Sequence, residues 1–114
     1  NGIRFISGII DTDSADMLKS IAYQVRKSSD NTVLVIGASI GDKASLFVMV
    51  SDKLVDSLKL SAVEIIREIA GEIKGGGGGQ PFLASAGGKN PMGLNSAISG
   101  AEAFLKRKTA GMQV

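Results

Sequence analysis

The sequence predicts a small α/β (α+β) fold, in which helices pack on one face of a mixed β-sheet. The predicted order is βαββα, a glycine-rich loop and a last helix. Two runs rich in β-branched residues flank a glycine turn, and three segments carry apolar residues at helical spacing. With 114 residues, 44% apolar and 21% charged, the chain has the size and composition of one globular domain, which we expect to cover residues 1–114.

The first two elements are a strand and a helix. Residues 3–10 form an apolar run broken by only three other residues, which indicates a strand. Asp13 is placed to cap the helix that follows, and Asp16 lies in its first turn, where the helix dipole favours an anion. The apolar stripe of this helix consists of Met17, Leu18, Ile21, Ala22 and Val25.

A β-hairpin comes next. Residues 32–40 are rich in β-branched side chains and short enough for a buried strand. Gly41 and Asp42 form a two-residue turn signal with glycine first, and residues 45–50 return as an antiparallel strand. We expect the first strand to join this hairpin in parallel, because a helix connects the two.

Two further helices are predicted after the hairpin, and residues 51–58 are expected to hold a short helical turn before them. Ser61 and Glu64 have the spacing of a capping box at the start of one helix. Asn90 and Pro91 supply an N-cap and a first-turn proline for the other. Its apolar stripe consists of Leu94, Ala97, Ile98, Ala101, Phe104 and Leu105.

Glycine dominates the segment between these two helices. Residues 71–93 hold nine of the fifteen glycines, with an unbroken run at positions 75–79. Such tracts are usually flexible linkers. The last helix cannot bury its apolar stripe by itself, since isolated helices are marginal in water. The glycine run is therefore predicted to be a loop inside one domain.

Composition excludes several kinds of chemistry. The chain has no cysteine and no histidine, which excludes disulfides, Cys/His zinc sites and catalytic triads within it. Asp11, Asp13 and Asp16 are better explained by turns and capping than by a metal.

Met17, Met49 and Met92 fit core positions. No secretory signal or membrane-length apolar run is visible, and the absence of an initiator Met suggests a piece of a longer, cytoplasmic chain.

Charge is distributed unevenly around the glycine run. Residues 1–73 have a net charge of −2, whereas residues 74–114 have +4. Lys74 and Lys89 flank the run, and no acidic residue lies between Glu72 and Glu102. Successive glycine N–H groups can converge on a phosphate when the backbone adopts positive φ. The segment is thus predicted to be a phosphate cradle, although a solvated basic face explains the charge equally well.

The segment at residues 77–88, GGGQPFLASAGG, resembles the signature GGGRPxxAxxGG of the globular C-terminal domain of alanyl-tRNA synthetases. The similarity covers nearly the whole chain, including the hairpin and the helix after it. That domain belongs to the wider DHH-associated family, whose exonuclease and phosphodiesterase members carry GGGH in this loop. Gln80 stands at the histidine position here, which favours the synthetase branch.

The resemblance implies a noncatalytic domain that binds the elbow of alanine-specific tRNA and helps to couple aminoacylation with editing. It implies no cofactor in this chain, whereas the parent enzyme would use ATP and Mg²⁺, with zinc in its editing domain. Other synthetase domains are implied partners, and dimerisation through this region is a further option. Two alternatives remain: a substrate-binding module of a DHH phosphoesterase, and an oligomerisation domain.

Twelve residues are predicted to contact nucleic acid. Phe82 fits a core position better than a base-stacking one, and Gln80 suits RNA contact and loop stabilisation equally well. The basic residues near the C-terminus extend the basic surface or simply complement a helix dipole. The predicted contacts are Lys74, Gly75, Gly76, Gly77, Gly78, Gly79, Gln80, Phe82, Lys89, Asn90, Lys106 and Arg107.

Overall fold

The computed structural model describes residues 3–110 and has a five-stranded mixed sheet with four α-helices. This agrees with the predicted fold class. The strands are β1 (Arg4–Ile9), β2 (Thr32–Ile40), β3 (Lys43–Val50), β4 (Gly75–Gly79) and β5 (Leu83–Gly88). The helices are α1 (Ala15–Ser28), α2 (Asp52–Leu58), α3 (Ala62–Ile69) and α4 (Leu94–Thr109), with short 3₁₀ turns at Ala70–Ile73 and Pro91–Gly93.

The strand order is β1-β2-β3-β5-β4. β1 pairs with β2 in parallel, as predicted, and every other neighbouring pair is antiparallel. The hairpin between β2 and β3 turns at Gly41, whose φ of +60° is the conformation that its turn requires. β4 and β5 form a second hairpin, which places β4 at the edge of the sheet.

Helices lie on both faces of the sheet, so the prediction of helices on one face was wrong. Alternate residues of a strand point to opposite faces. Val33 and Val35 of β2 join the larger core with α3 and α4, whereas Leu34 and Ile36 pack with Leu18 of α1. The continuous burial of β2 follows from this two-sided cover.

The helix starts differ in detail from the prediction. Ser14, not Asp13, precedes α1, and it makes no capping hydrogen bond with its side chain. Ser61 precedes α3 in an extended conformation, but its side chain makes no capping hydrogen bond. Glu64 pairs instead with Lys108 of α4, with 3.1 Å between Oε1 and Nζ. A tertiary ion pair has thus replaced the predicted capping box.

Methionine positions divide between core and surface. Met49 is completely buried, as predicted. Met17 and Met92 are 50% and 91% exposed, so their assignment to the core was wrong. No helix in the described part of the chain is long and apolar enough to cross a membrane.

Candidate nucleic-acid interface

The glycine run forms a strand and not a loop. Gly75–Gly79 is β4 and pairs antiparallel with β5 over its whole length. Within residues 3–110, the glycines with positive φ are Gly41 and Gly79 alone. The positive-φ backbone expected of the predicted phosphate cradle is therefore wrong, and any phosphate contact here must come from an extended backbone and its flanking side chains.

Alternate glycines of β4 lie directly against β5. A Cβ at Gly75 would fall 1.9 Å from the carbonyl oxygen of Gly87, and one at Gly77 would fall 2.0 Å from that of Ser85. A Cβ at Gly76 or Gly78 would meet nothing within 4 Å. The odd-numbered positions thus need glycine for strand packing, while the even-numbered ones leave an open surface.

That open surface belongs to a shallow trough on the α1 side of the sheet. Phe47 and Leu83 pack against the α1 core, so their faces are shared by Ser45, two residues before Phe47, and by Ser85 and Gly87, two and four residues after Leu83. The floor of the trough, as we define it, consists of Ser45, Ser85, Gly87, Gly76 and Gly78. Two of these five residues are serines and three are glycines, so the floor is made mostly of backbone.

Three lysines from separate segments surround one end of the trough. Lys43 begins β3, Lys74 precedes β4 and Lys89 follows β5, and all three side chains are exposed. Together with Gly75 and Gly88 they line a cavity of about 460 Å³. No carboxylate lines this cavity, and none of the three lysines forms an ion pair with a residue between 3 and 110. We call this region the lysine end.

Backbone contacts fix two of these lysines in place. Lys74 adopts a left-handed conformation with φ of +54°, and its N–H donates to the Gly71 carbonyl at 3.0 Å. This residue turns the chain from the 3₁₀ helix into β4. The N–H of Asn90, next to Lys89, donates to the Ile73 carbonyl at 2.9 Å. The two lysines are therefore held at one end of the β4–β5 hairpin.

The side chain of Asn90 is engaged within the protein. Its Nδ2 donates to the Glu72 carbonyl at 3.3 Å. The adjoining helical turn is packed tightly, because a Cβ at Gly93 would fall 1.8 Å from the same carbonyl oxygen. Asn90, which the sequence placed among the nucleic-acid contacts, has a structural role in the folded chain.

Gln80 and Phe82 lie at the opposite end of β4, about 20 Å along the strand from Lys74. Gln80 closes the hairpin, since its backbone N–H donates to the Leu83 carbonyl at 2.8 Å. The guanidinium of Arg26 covers the Phe82 ring at 3.7 Å and also binds Asp52, with Nε 3.0 Å from Oδ1. One face of Phe82 is therefore already occupied.

Lys106 and Arg107 lie apart from the trough. Lys106 lies 3.8 Å from Glu102, and Arg107 lies 3.4 Å from Glu68 of α3. Lys106 also lines a small cavity beside Phe5 of β1, which is at the far edge of the sheet from β4. The structure thus brings together Lys74, Lys89 and the glycines, but separates them from these two basic residues.

Sequence reasoning missed Lys43. It lies thirty-one residues before Lys74, and it reaches the lysine end because β3 pairs with β5 in a register that sets Ala44 opposite Gly88. The signal that could have located it is the hairpin turn, which fixes Lys43 as the first residue of the returning strand. Its neighbour across the sheet depends on tertiary pairing and not on local sequence.

Comparisons with known proteins agree on one family. The model of the DHHA1 domain matches residues 2–107. The chain is 45% identical to the alanine–tRNA ligase of Christiangramia forsetii over 106 residues, and 44% identical to that of Cytophaga hutchinsonii over 86 residues. These matches cover 93% and 75% of the chain, but only 12% and 10% of the two relatives.

A solved structure shows the same fold. The C-Ala domain of the Aquifex aeolicus alanyl-tRNA synthetase superposes with a TM-score of 0.78 at 32% identity. The match covers 91% of this chain and 88% of that one. The chain therefore belongs to the DHHA1 domain family, in the branch of the alanyl-tRNA synthetase C-Ala domains.

Proposed function

We propose that this chain is the noncatalytic C-terminal RNA-binding domain of an alanine–tRNA ligase. It binds tRNA at the elbow, where the D- and T-loops meet, and so helps the aminoacylation and editing domains to act on one tRNA in the cytoplasm. Family membership supports the assignment to a ligase. ATP, Mg²⁺ and zinc belong, in this proposal, to the other domains of the parent enzyme.

The observation that carries RNA binding is the convergence of Lys43, Lys74 and Lys89 on a backbone surface without a lining carboxylate. When ammonium groups neutralise phosphates, the counterions condensed on the nucleic acid are released, and this release is the main source of sequence-independent affinity. The three lysines come from three different segments, so their clustering is a property of the tertiary fold. The other basic group of the sequence, at residues 106–108, is paired with glutamates instead.

The proposal is tested by titrating the 114-residue chain with alanine-specific tRNA, the same tRNA without its D-loop, and a DNA duplex of similar length. We expect intact tRNA to bind most tightly, because only it presents a complete elbow. The logarithm of affinity should fall with the logarithm of salt concentration with a slope of about −2 to −3, given three phosphate contacts. Equal affinity for all three nucleic acids would contradict elbow recognition, and a flat salt response would contradict phosphate contact.

Replacing single lysines with glutamine tests which of them contribute to tRNA affinity. Lys74→Gln should weaken tRNA binding by about 0.5–1.5 kcal/mol at moderate salt and reduce the salt slope by about one. Lys106→Gln is the matched control, since it removes the same charge from a residue that is ion-paired and distant from the trough. An equal loss in both variants would show that general charge, and not the lysine end, determines affinity.

A further inference from the structure

The end of the trough away from the lysines is aromatic. The α1 core includes β2, β3 and Leu83 at the start of β5, whereas the rest of β5 and β4 lie outside it, and a cavity of about 390 Å³ opens at this boundary. Tyr23 and Lys19 of α1 form one side, Phe47 and Leu83 lie at the base, and Gly78 continues the floor. We call this region the aromatic end.

Tyr23 is the side chain best placed to contact a ligand there. It is the single tyrosine of the chain and is 38% exposed, and its hydroxyl makes no hydrogen bond within the described residues. Phe47 beside it is half-buried against the α1 core. Phe82 cannot take this role as readily, because Arg26 already stacks on it.

Charge divides the trough into two chemically different ends. At the aromatic end, Asp16 and Lys19 offset each other, so the cavity is close to neutral. At the lysine end, three cations face no carboxylate. The two ends share one floor, since Ser85 and Gly87 are two residues apart on the same face of β5, about 7 Å. An amphiphilic ligand with an anionic part and a flat apolar part therefore fits in one orientation.

We propose that the aromatic end binds one unpaired nucleobase, stacked on Tyr23, while the adjoining phosphates lie at the lysine end. This inference rests on the proposed RNA-binding function and specifies the part of the RNA that is recognised. A nucleotide swung out of its stack offers a π-face to an aromatic ring, whereas a base inside a helix does not. The bare floor at Gly78 leaves room for the ring of the base.

The experiment uses single-stranded RNA of about seven nucleotides, with and without an abasic site at its centre. Because Tyr23 is the single tyrosine and the chain has no tryptophan, quenching of tyrosine fluorescence reports on this one ring. We expect quenching by the intact RNA and little by the abasic one. Tyr23→Ala should weaken binding of the intact RNA about tenfold and leave binding of the abasic RNA unchanged.

Three variants complete the test. Tyr23→Phe keeps the ring and should bind within about twofold of the parent chain, since stacking does not need the hydroxyl. Gly78→Val places a branched side chain on the floor and should weaken binding of the intact RNA, with the fold kept because that position is open. Met92→Ala, which removes an exposed apolar side chain outside the trough, is the control and should have no effect.

Two results would overturn the inference, and a third, on the abasic RNA, would do the same. One is unchanged affinity of Tyr23→Ala for the intact RNA while Lys74→Gln still weakens it, which refutes base stacking and leaves the proposed function in place. The other is the absence of binding to any RNA by the unaltered chain, which refutes both. Equal losses of Tyr23→Ala on intact and abasic RNA would likewise contradict stacking, because the second RNA has no base to lose.

Discussion

The alternation along β4 predicts opposite effects of the same substitution at neighbouring glycines. In Gly77→Ala the new Cβ would lie 2.0 Å from the Ser85 carbonyl oxygen and 2.6 Å from the Cα of Ala86. Backbone atoms are not free to rotate away, so β4 must move outward by about 1 Å to restore an ordinary contact. In Gly78→Ala the same methyl group enters open space.

The size of the effect follows from the hydrogen bonds at risk. Gln80 and Leu83 exchange both backbone bonds at the hairpin end, so the alternating antiparallel pattern makes the pairs Gly78–Ser85 and Gly76–Gly87 hydrogen-bonded as well. A shift of 1 Å takes such bonds beyond their useful length. With overpacking worth about 1–3 kcal/mol, Gly77→Ala should destabilise the chain by about that amount.

Gly78→Ala should instead stabilise the chain by about 0.4–1 kcal/mol, because alanine reduces the entropy of the unfolded chain and fits the native conformation. The free energy of unfolding of both variants is measured by urea titration followed by circular dichroism. In a domain of this size, 1 kcal/mol corresponds to about 4 °C in Tm. Equal stabilities of the two variants would refute the reasoning, since a flexible loop would not distinguish one position from the next.

Three other substitutions probe the scaffold, each by urea titration. Ser51→Ala should lower the free energy of unfolding by about 1–3 kcal/mol. The buried Ser51 hydroxyl accepts from the Thr32 N–H and donates to the Ser29 carbonyl, both at 3.0 Å, and its loss leaves those two groups unpaired. An unchanged urea midpoint would contradict this role. Lys108→Gln should lower the free energy of unfolding by less than about 1 kcal/mol, since the ion pair between Lys108 and Glu64 is half-exposed. A larger loss of stability would mean that the pair is shielded from solvent. Gly93→Ala should be destabilising by about 1–3 kcal/mol, because its Cβ would strike the Glu72 carbonyl, and native-like stability would contradict this packing.

Much of the fold is encoded locally and could be predicted. The β-branched run of β2 and the Gly41 turn determine the first hairpin, and the apolar stripes at helical spacing determine α1, α3 and α4. Lys74 and Lys89 were also identified from sequence, because they flank a compositional feature that is visible without a structure. The comparisons confirm the resemblance that the signature at residues 77–88 indicated.

Other features depend on contacts between distant segments. β4 has no hydrophobic pattern and no β-propensity, since five glycines carry neither, so its strand conformation comes from pairing with β5. Glu64 has the spacing of a capping residue but pairs with Lys108, which α4 brings alongside α3. The capping rule predicts a contact between two residues three positions apart, Ser61 and Glu64. Packing of α4 on α3 gives Glu64 a partner from a distant segment instead.

The sequence by itself determined β1 to β3, the helices α1, α3 and α4, the family and two lysines of the candidate site, because periodicity, turn residues and short motifs are local properties of the chain. Only the tertiary structure decided that the glycine run is an edge strand, that Lys43 joins the other two lysines, and that Tyr23 stands over an open floor. Each of these depends on which strand lies beside which and in what register. Register is a relation between segments far apart in sequence, and it is selected by burial on both faces of the sheet at once.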